Sequence, residues 1–126
     1  MPKLLLVEDN EANRDMLSRL LVRHGFEVVC AVDGPSAVTS ALCEQPDLIL
    51  MDVALGDAMD GWQATLAIKG VRETARIPII ALTAHALESD RARSVEVGCC
   101  DFDTKPVDLP RLLGKISASL TGLMTT

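Results

Sequence analysis

Three acids in this 126-residue chain each close an apolar run: Glu8 and Asp9 end "KLLLVED", and Asp52 ends "DLILMD". A hydroxyl, Thr83, ends "IPIIALT", and an ammonium, Lys105, follows "CCDFDT". Singly, each has an ordinary use. An acid after a strand is commonly a helix cap or a loop charge, Thr83 a strand-terminal residue, Lys105 a solvated cation. Brought together, they have a chemistry. Three neighbouring carboxylates repel and raise one another's pKa unless a cation joins them. A hard divalent ion such as Mg²⁺, held by a few carboxylates with water and phosphate, is the natural solution. Lys105 supplies a fixed positive charge opposite it. Such a site suits a phosphoryl group. A carboxylate can attack phosphorus, and phosphoryl transfer asks mainly for positioning and neutralisation of the equatorial oxygens. The Thr83 hydroxyl could donate to one of those oxygens.

The elements that must position these groups are legible as alternating patterns. Five short apolar runs recur: "KLLLV", "EVVCAV", "DLILM", "IPIIAL" and "CCDF". The first, third and fourth are nearly continuous, as in strands of a parallel sheet buried on both faces. Helical patterns lie between them. Ala12, Met16, Leu17, Leu20 and Leu21 share one face, with Asn10 an N-cap and Gly25 a stop. Pro35 suits the first turn of a second helix. A third runs from about Gly61 to Arg72, and a fourth from about Ala86 to Val97 before Gly98. On the fourth, Leu87 and Val95 share their face with Arg91, so its apolar stripe is weak. A fifth follows Asp108, with Leu109, Leu112, Leu113, Ile116 and Leu120 on one face. The sum is (βα)5, an α/β doubly wound parallel sheet with helices on both faces. In such sheets ligands bind at the carboxyl ends of the strands, where strand order reverses. Glu8, Asp9, Asp52, Thr83 and Lys105 all fall on that edge. The expected domain is 1–122, with 123–126 a frayed tail.

Composition narrows the function classes. Hydrophobic residues are 48% and aromatics 2%, so the core is aliphatic. The net charge of −6 argues against bulk binding to nucleic acid or an anionic membrane. Cys30, Cys43, Cys99 and Cys100 match no zinc or CxxC spacing and read as reduced thiols packed as small hydrophobes, in a cytoplasmic protein. No run is long enough to span a bilayer. No GxxxxGK[ST] or GxGxxG follows a strand, which disfavours a nucleotide-binding module.

With these motifs in order, "LLLVEDN", "DLILMD", "ALTAHA" and "DFDTKPVD", the chain resembles the receiver domain of two-component response regulators over essentially its whole length. The resemblance implies a flavodoxin-like sheet of strand order 2-1-3-4-5. It implies Mg²⁺-dependent phosphorylation of Asp52 by a histidine kinase or phosphotransfer protein. Carried over, Asp9 is a direct metal ligand, Glu8 acts through water, and the Ala54 carbonyl is a further ligand. Thr83 is the switch hydroxyl, Lys105 bridges to the phosphoryl group, and Pro106 follows a cis bond that aims Lys105 into the site. On phosphorylation Thr83 moves toward the phosphate and the aromatic Phe102 turns inward. That remodels the face of helix four, strand five and helix five for a downstream protein. The oligomeric expectation is a monomer or a weak phosphorylation-dependent dimer.

The chain departs from the family pattern in several places. Phe102 stands where Tyr is more frequent. Ala54 and His85 occupy positions that tune dephosphorylation, and small Ala84 keeps access open. Receivers usually carry Pro four residues after the acceptor and Asp-Gly at seven and eight. Here Gly56 replaces the Pro and Asp60–Gly61 falls at eight and nine. The loop Gly56–Met59 is therefore expected to be mobile and a contact point for the kinase. Two other readings keep the fold. One is a pseudo-receiver that binds proteins without phosphorylation; the other is a receiver excised from a hybrid histidine kinase, against the stand-alone regulator favoured by the early Met. A haloacid-dehalogenase-type phosphatase needs a second Asp where Ala54 stands.

Overall fold

The computed structural model describes residues 1–55, 59–84 and 87–122. Among the described residues ten elements alternate: β1 Lys3–Val7, α1 Glu11–Arg23, β2 Glu27–Ala31, α2 Gly34–Glu44, β3 Leu48–Asp52, α3 Gly61–Lys69, β4 Ile79–Thr83, α4 Glu88–Val97, β5 Asp101–Thr104 and α5 Leu109–Gly122. The strands form one parallel sheet in the order β2-β1-β3-β4-β5. This is the flavodoxin-like arrangement. Strand order reverses between β1 and β3, and the crevice there opens at the carboxyl ends of both.

The apolar continuity of β1, β3 and β4 follows from burial on both faces. Leu5, Val7, Ile49, Met51, Ile79 and Ala81 point to one side and pack with Ala37, Ala41, Trp62, Ala64, Ile68 and Val97 of α2, α3 and α4. Leu4, Leu6, Leu48, Leu50, Ile80 and Leu82 point to the other and pack with Leu17, Leu21, Leu112 and Ile116 of α1 and α5. Alternate residues thus serve separate cores. The helices begin on residues suited to it. The side chain of Asn10 caps α1, and Asp33 and Asp60 form reciprocal capping boxes with Ser36 and Gln63 on α2 and α3.

Four details differ from the sequence reading. On α1 only Leu17 and Leu21 are buried, while Met16 is 56% exposed and Ala12 faces solvent; the helix sits over β1 through one narrow seam. The third helix stops at Lys69, not Arg72, because the following turn folds back under it. There Thr74 Oγ1 donates to Ile68 O at 2.6 Å and Lys69 Nζ to Ile77 O at 2.6 Å. Strand five begins at Asp101 rather than at the cysteines. Apolar character marked Cys99 as strand, but it fills the core beside α4, and the ladder runs along a polar edge strand. Only Cys99 is buried; Cys30, Cys43 and Cys100 are exposed free thiols. Cys30 lies on edge strand β2, where only the polar flank of α1, with Arg14, Asp15 and Ser18, comes beside it. Burial pushes the Cys99 thiol up to about 11, which makes it a packing group and a poor nucleophile.

The weak stripe of α4 is observed. It buries Ser94 and Val97, leaves Leu87 and Val95 exposed, and its N-cap residue Leu87 makes no side-chain capping bond. The expected tail 123–126 and loop residues Gly56, Asp57 and Ala58 lie outside the described residues, as does His85. Met59 is described, and its side chain packs against Gly34 at the start of α2.

Candidate functional site

Strands β1 and β3 deliver Glu8, Asp9 and Asp52 to the crevice, where carboxylate oxygens of all three lie within 4.8 Å of one another. Glu8 and Asp52 are buried, and Asp9 is exposed at the mouth. The Lys105 ammonium sits across them, 3.0 Å from Glu8 Oε1 and 3.0 Å from Asp52 Oδ2. Burial pulls the Lys105 pKa down. The hydrogen bonds and charges of Asp52 and Glu8 together outweigh that, and it stands above the ordinary lysine value.

The remaining carboxylate oxygens are also held. Asp52 Oδ1 accepts from Ala54 N at 3.1 Å, and Glu8 Oε2 accepts from Asn10 N at 3.2 Å. Lys105 thus pairs with the two buried carboxylates, and Asp9 adds a third negative charge to the cluster. A compact set of hard oxygen donors with a surplus of negative charge fits a divalent cation of the Mg²⁺ class.

Backbone anchoring keeps this geometry. Glu8 N donates to Ala31 O, Val53 N to Leu82 O, and Lys105 N to Thr83 O at 2.7 Å. Arg14, on the first turns of α1, donates to the Glu8 carbonyl at 2.9 Å and to the Asp9 carbonyl at 3.4 Å. Gly61 opens α3 directly against the end of β3. A Cβ there would run into the Asp52 carbonyl oxygen and stand 2.7 Å from Val53 Cα. Only glycine allows that approach, and Gly61 N donates to Val53 O at 2.9 Å.

Thr83 is buried one residue beyond Leu82, which is in register with Asp52 on the neighbouring strand. Ala54 and Ala84 are small and exposed at the rim. The Lys105–Pro106 peptide is cis. Phe102 is half-buried on β5, away from the carboxylates. The Arg91 guanidinium lies 4.8 Å from its ring centroid and the Lys115 ammonium 5.6 Å. An apolar cleft of about 390 Å³ opens beside the site, walled by Met16, Leu17, Leu20, Val107 and Leu109, with Glu8 and Lys105 at its head.

Sequence reasoning assigned no place in the site to Arg14, Gly61, Arg91, Lys115 or the pair Asp103–Arg111. Gly61 carried a signal, an Asp-Gly after the acceptor loop. The others depend on where long side chains fold back.

The family description "Response regulator receiver domain" matches residues 4–117. The chain belongs to the response regulator receiver family. Protein PilH of Pseudomonas aeruginosa is 36% identical over 97% of this receiver and 100% of PilH. The polar-differentiation response regulator DivK of Brucella anthropi is 36% identical over 95% of this chain and 98% of its own. The sensor protein GacS of Pseudomonas syringae is 40% identical over 97% of this receiver, which spans only 14% of GacS. Among solved structures, the receiver domain of a Pseudomonas aeruginosa PAO1 sensor histidine kinase, with a magnesium ion coordinated in its active site cleft, superposes with a TM-score of 0.86. It shares 37% identity, covering 94% of this chain and 97% of that one. The Vibrio cholerae chemotaxis protein CheY4 gives a TM-score of 0.88 at 28% identity, covering 94% and 98%. The receiver is thus a phosphoreceiver of two-component signalling, and its acidic pocket suits Mg²⁺. Among the described residues no helix is long and apolar enough to cross a membrane.

Proposed function

We infer that Asp52 is the residue that takes the phosphoryl group, from a histidine kinase or histidine phosphotransfer protein. The observation that carries this is the setting of its carboxylate, 3.0 Å from Lys105 and clustered with Glu8 and Asp9 at the sheet's switch point. An Asp52 oxygen attacks the phosphorus of a donor phosphohistidine. The P–O bond forms as the P–N bond breaks, and the leaving imidazole takes a proton from solvent. The product is an acyl phosphate on Asp52. Asp9, Asp52 and the Ala54 carbonyl, with Glu8 through water, would hold Mg²⁺, which when bound neutralises the equatorial phosphoryl oxygens.

This chain's own residues supply the rest. Lys105 already touches the acceptor and needs only a small movement to follow the charge onto a phosphoryl oxygen. Thr83 donates a hydroxyl hydrogen bond from the adjacent strand. Ala54 and Ala84 leave the rim open to the donor, and the apolar cleft along α1 gives a protein donor a seat next to it. The added charge then biases Thr83 and Phe102 toward a second arrangement and alters the face of α4, β5 and α5. The thinly packed α4 supports that reading, since such an element shifts at low cost.

Beryllofluoride with Mg²⁺ tests the whole. Amide shifts are expected around Asp52, Thr83 and Phe102, and Asp52→Asn should abolish labelling by acetyl phosphate. Unchanged shifts at saturation would favour a protein-binding module that is never phosphorylated.

A further inference from the structure

We propose that Arg111 is a positioning residue for Lys105, acting through an ion pair with the buried Asp103 that staples the β5–α5 connection. Lys105, Pro106, Val107 and Asp108 form that connection. Arg111 grips both of its ends. Its backbone N–H donates to Asp108 Oδ1 at 3.1 Å on the helix side. On the strand side its Nε donates to Asp103 Oδ1 at 2.7 Å, and another guanidinium nitrogen reaches Thr104 O at 3.3 Å and Thr104 Oγ1 at 3.4 Å. Thr104 immediately precedes Lys105, so the guanidinium holds the peptide from which Lys105 departs.

The pair sits where stability alone would not put it. Asp103 is 4% exposed, and its strand neighbour in register is Leu82 of the apolar core under α5. Its Oδ1 takes the Arg111 bond and also Thr104 N at 2.8 Å. Its Oδ2 is buried with no hydrogen-bond partner among the described residues. The Asp103 carboxylate carries the cost of burial with one oxygen unsatisfied, while the Arg111 side chain is 44% exposed and screened by water, so the pair gains little stability. What it does supply is a single geometry: a planar fork reading one carboxylate and one carbonyl at once. The group that benefits is Lys105, whose ammonium must lie within hydrogen-bond reach of both Glu8 and Asp52.

The inference rests on the Asp52 reading, and the test separates the two. The double variant Asp103→Leu with Arg111→Met removes the pair without stranding a charge. Its melting temperature should stay close to that of the wild type, since the cost of burying Asp103 offsets most of what the half-exposed pair gains, and its Mg²⁺ affinity should stay within about twofold, since no proposed ligand is touched. Its affinity for beryllofluoride in Mg²⁺, and its rate of labelling by acetyl phosphate, should both fall about tenfold, the scale on which a misplaced group costs. In a Lys105→Ala background the same pair of substitutions should cause no further loss. Arg111→Lys keeps the charge but not the fork to Thr104; it should show a smaller loss in the same direction. Wild-type beryllofluoride affinity in either variant, or an equal loss when Lys105 is already absent, overturns the positioning role alone. A wild-type chain that takes no beryllofluoride overturns the Asp52 reading and this inference with it.

Discussion

Lys105 Nζ lies 3.0 Å from Asp52 Oδ2 and an equal distance from Glu8 Oε1, so one cation links three elements of the sheet edge. Its pKa stands above the ordinary value because those two acids outweigh the cost of burial. A group raised on folding stabilises fully below its unfolded pKa, about 10.4, and loses that contribution as pH rises through the folded value. Lys105→Met should therefore lower stability by about 1–3 kcal/mol at neutral pH in metal-free buffer. The gap from wild type should close only in strongly alkaline solution. Denaturant melts of both proteins across the alkaline range measure it, and a gap that does not change with pH would contradict the linkage.

Mg²⁺ should bind the Glu8–Asp9–Asp52 cluster and be visible from Trp62. That is the chain's one tryptophan, next to Gly61, whose N–H donates to Val53 O beside Asp52. A titration followed by Trp62 emission should saturate. Asp9→Asn or Asp52→Asn should raise the midpoint by about tenfold or more, since a lost ligand costs no less than a lost supporting hydrogen bond.

Gly61→Ala should be costly although it adds a single methyl. Its Cβ would press on the backbone of Asp52 and Val53, which cannot yield as a flexible side chain can. Overpacking of this kind costs about 1–3 kcal/mol. A displaced Asp52 should also bind Mg²⁺ more weakly. A substitution that lowers the melting temperature but leaves Mg²⁺ affinity intact would show that α3 retreats instead of Asp52.

The sheet order and the meeting of Glu8, Asp9, Asp52 and Lys105 were legible because both follow from periodicity and topology. Continuous runs such as "LILM" mean burial on both faces, and a doubly wound sheet sends its strand ends to one crevice. What was not legible depends on competition between neighbours. Cys99 and Cys100 carry the apolar character of a strand, yet the ladder runs through Asp101, Phe102 and Asp103, where Phe102 packs on one core and the buried Asp103 is paired by Arg111. Met16 shares the helical spacing of Leu17 and remains exposed because nothing covers the outer side of α1. The Asp103–Arg111 pair had no local signal. Eight positions of separation around a turn become a 2.7 Å contact only through the path of the β5–α5 connection.

Met16 lines the apolar cleft whose head is Glu8 and Lys105, and it is 56% exposed. Met16→Asp should leave labelling by acetyl phosphate unchanged, since no site oxygen is touched. It should slow transfer from a phosphorylated protein donor by about tenfold, on the scale of a charge placed in an apolar contact. Equal slowing of both donors would mean that the substitution distorts the site itself.

Phe102 has no hydroxyl, so its orientation is set by what lies over the ring. Lys115 reaches it from α5 and is also tied to the same strand, donating to Phe102 O at 2.6 Å. Arg91, 4.8 Å from the ring centroid, belongs to α4 and is the cation that ties this helix to β5 through the ring. An inward turn of Phe102 must break that contact. Removing it beforehand should favour the turned state. A cation–π contact at a partly exposed site is worth about 0.5–1 kcal/mol, so Arg91→Ala should raise the turned-in population about two- to fivefold without phosphorylation. The chain has only two phenylalanines, so 4-fluorophenylalanine gives two ¹⁹F signals, with Phe26 as the internal reference. The Phe102 signal of Arg91→Ala should move toward its beryllofluoride-bound position, while Phe26 stays in place. A Phe102 signal that does not move would mean that Lys115 and core packing alone hold the ring.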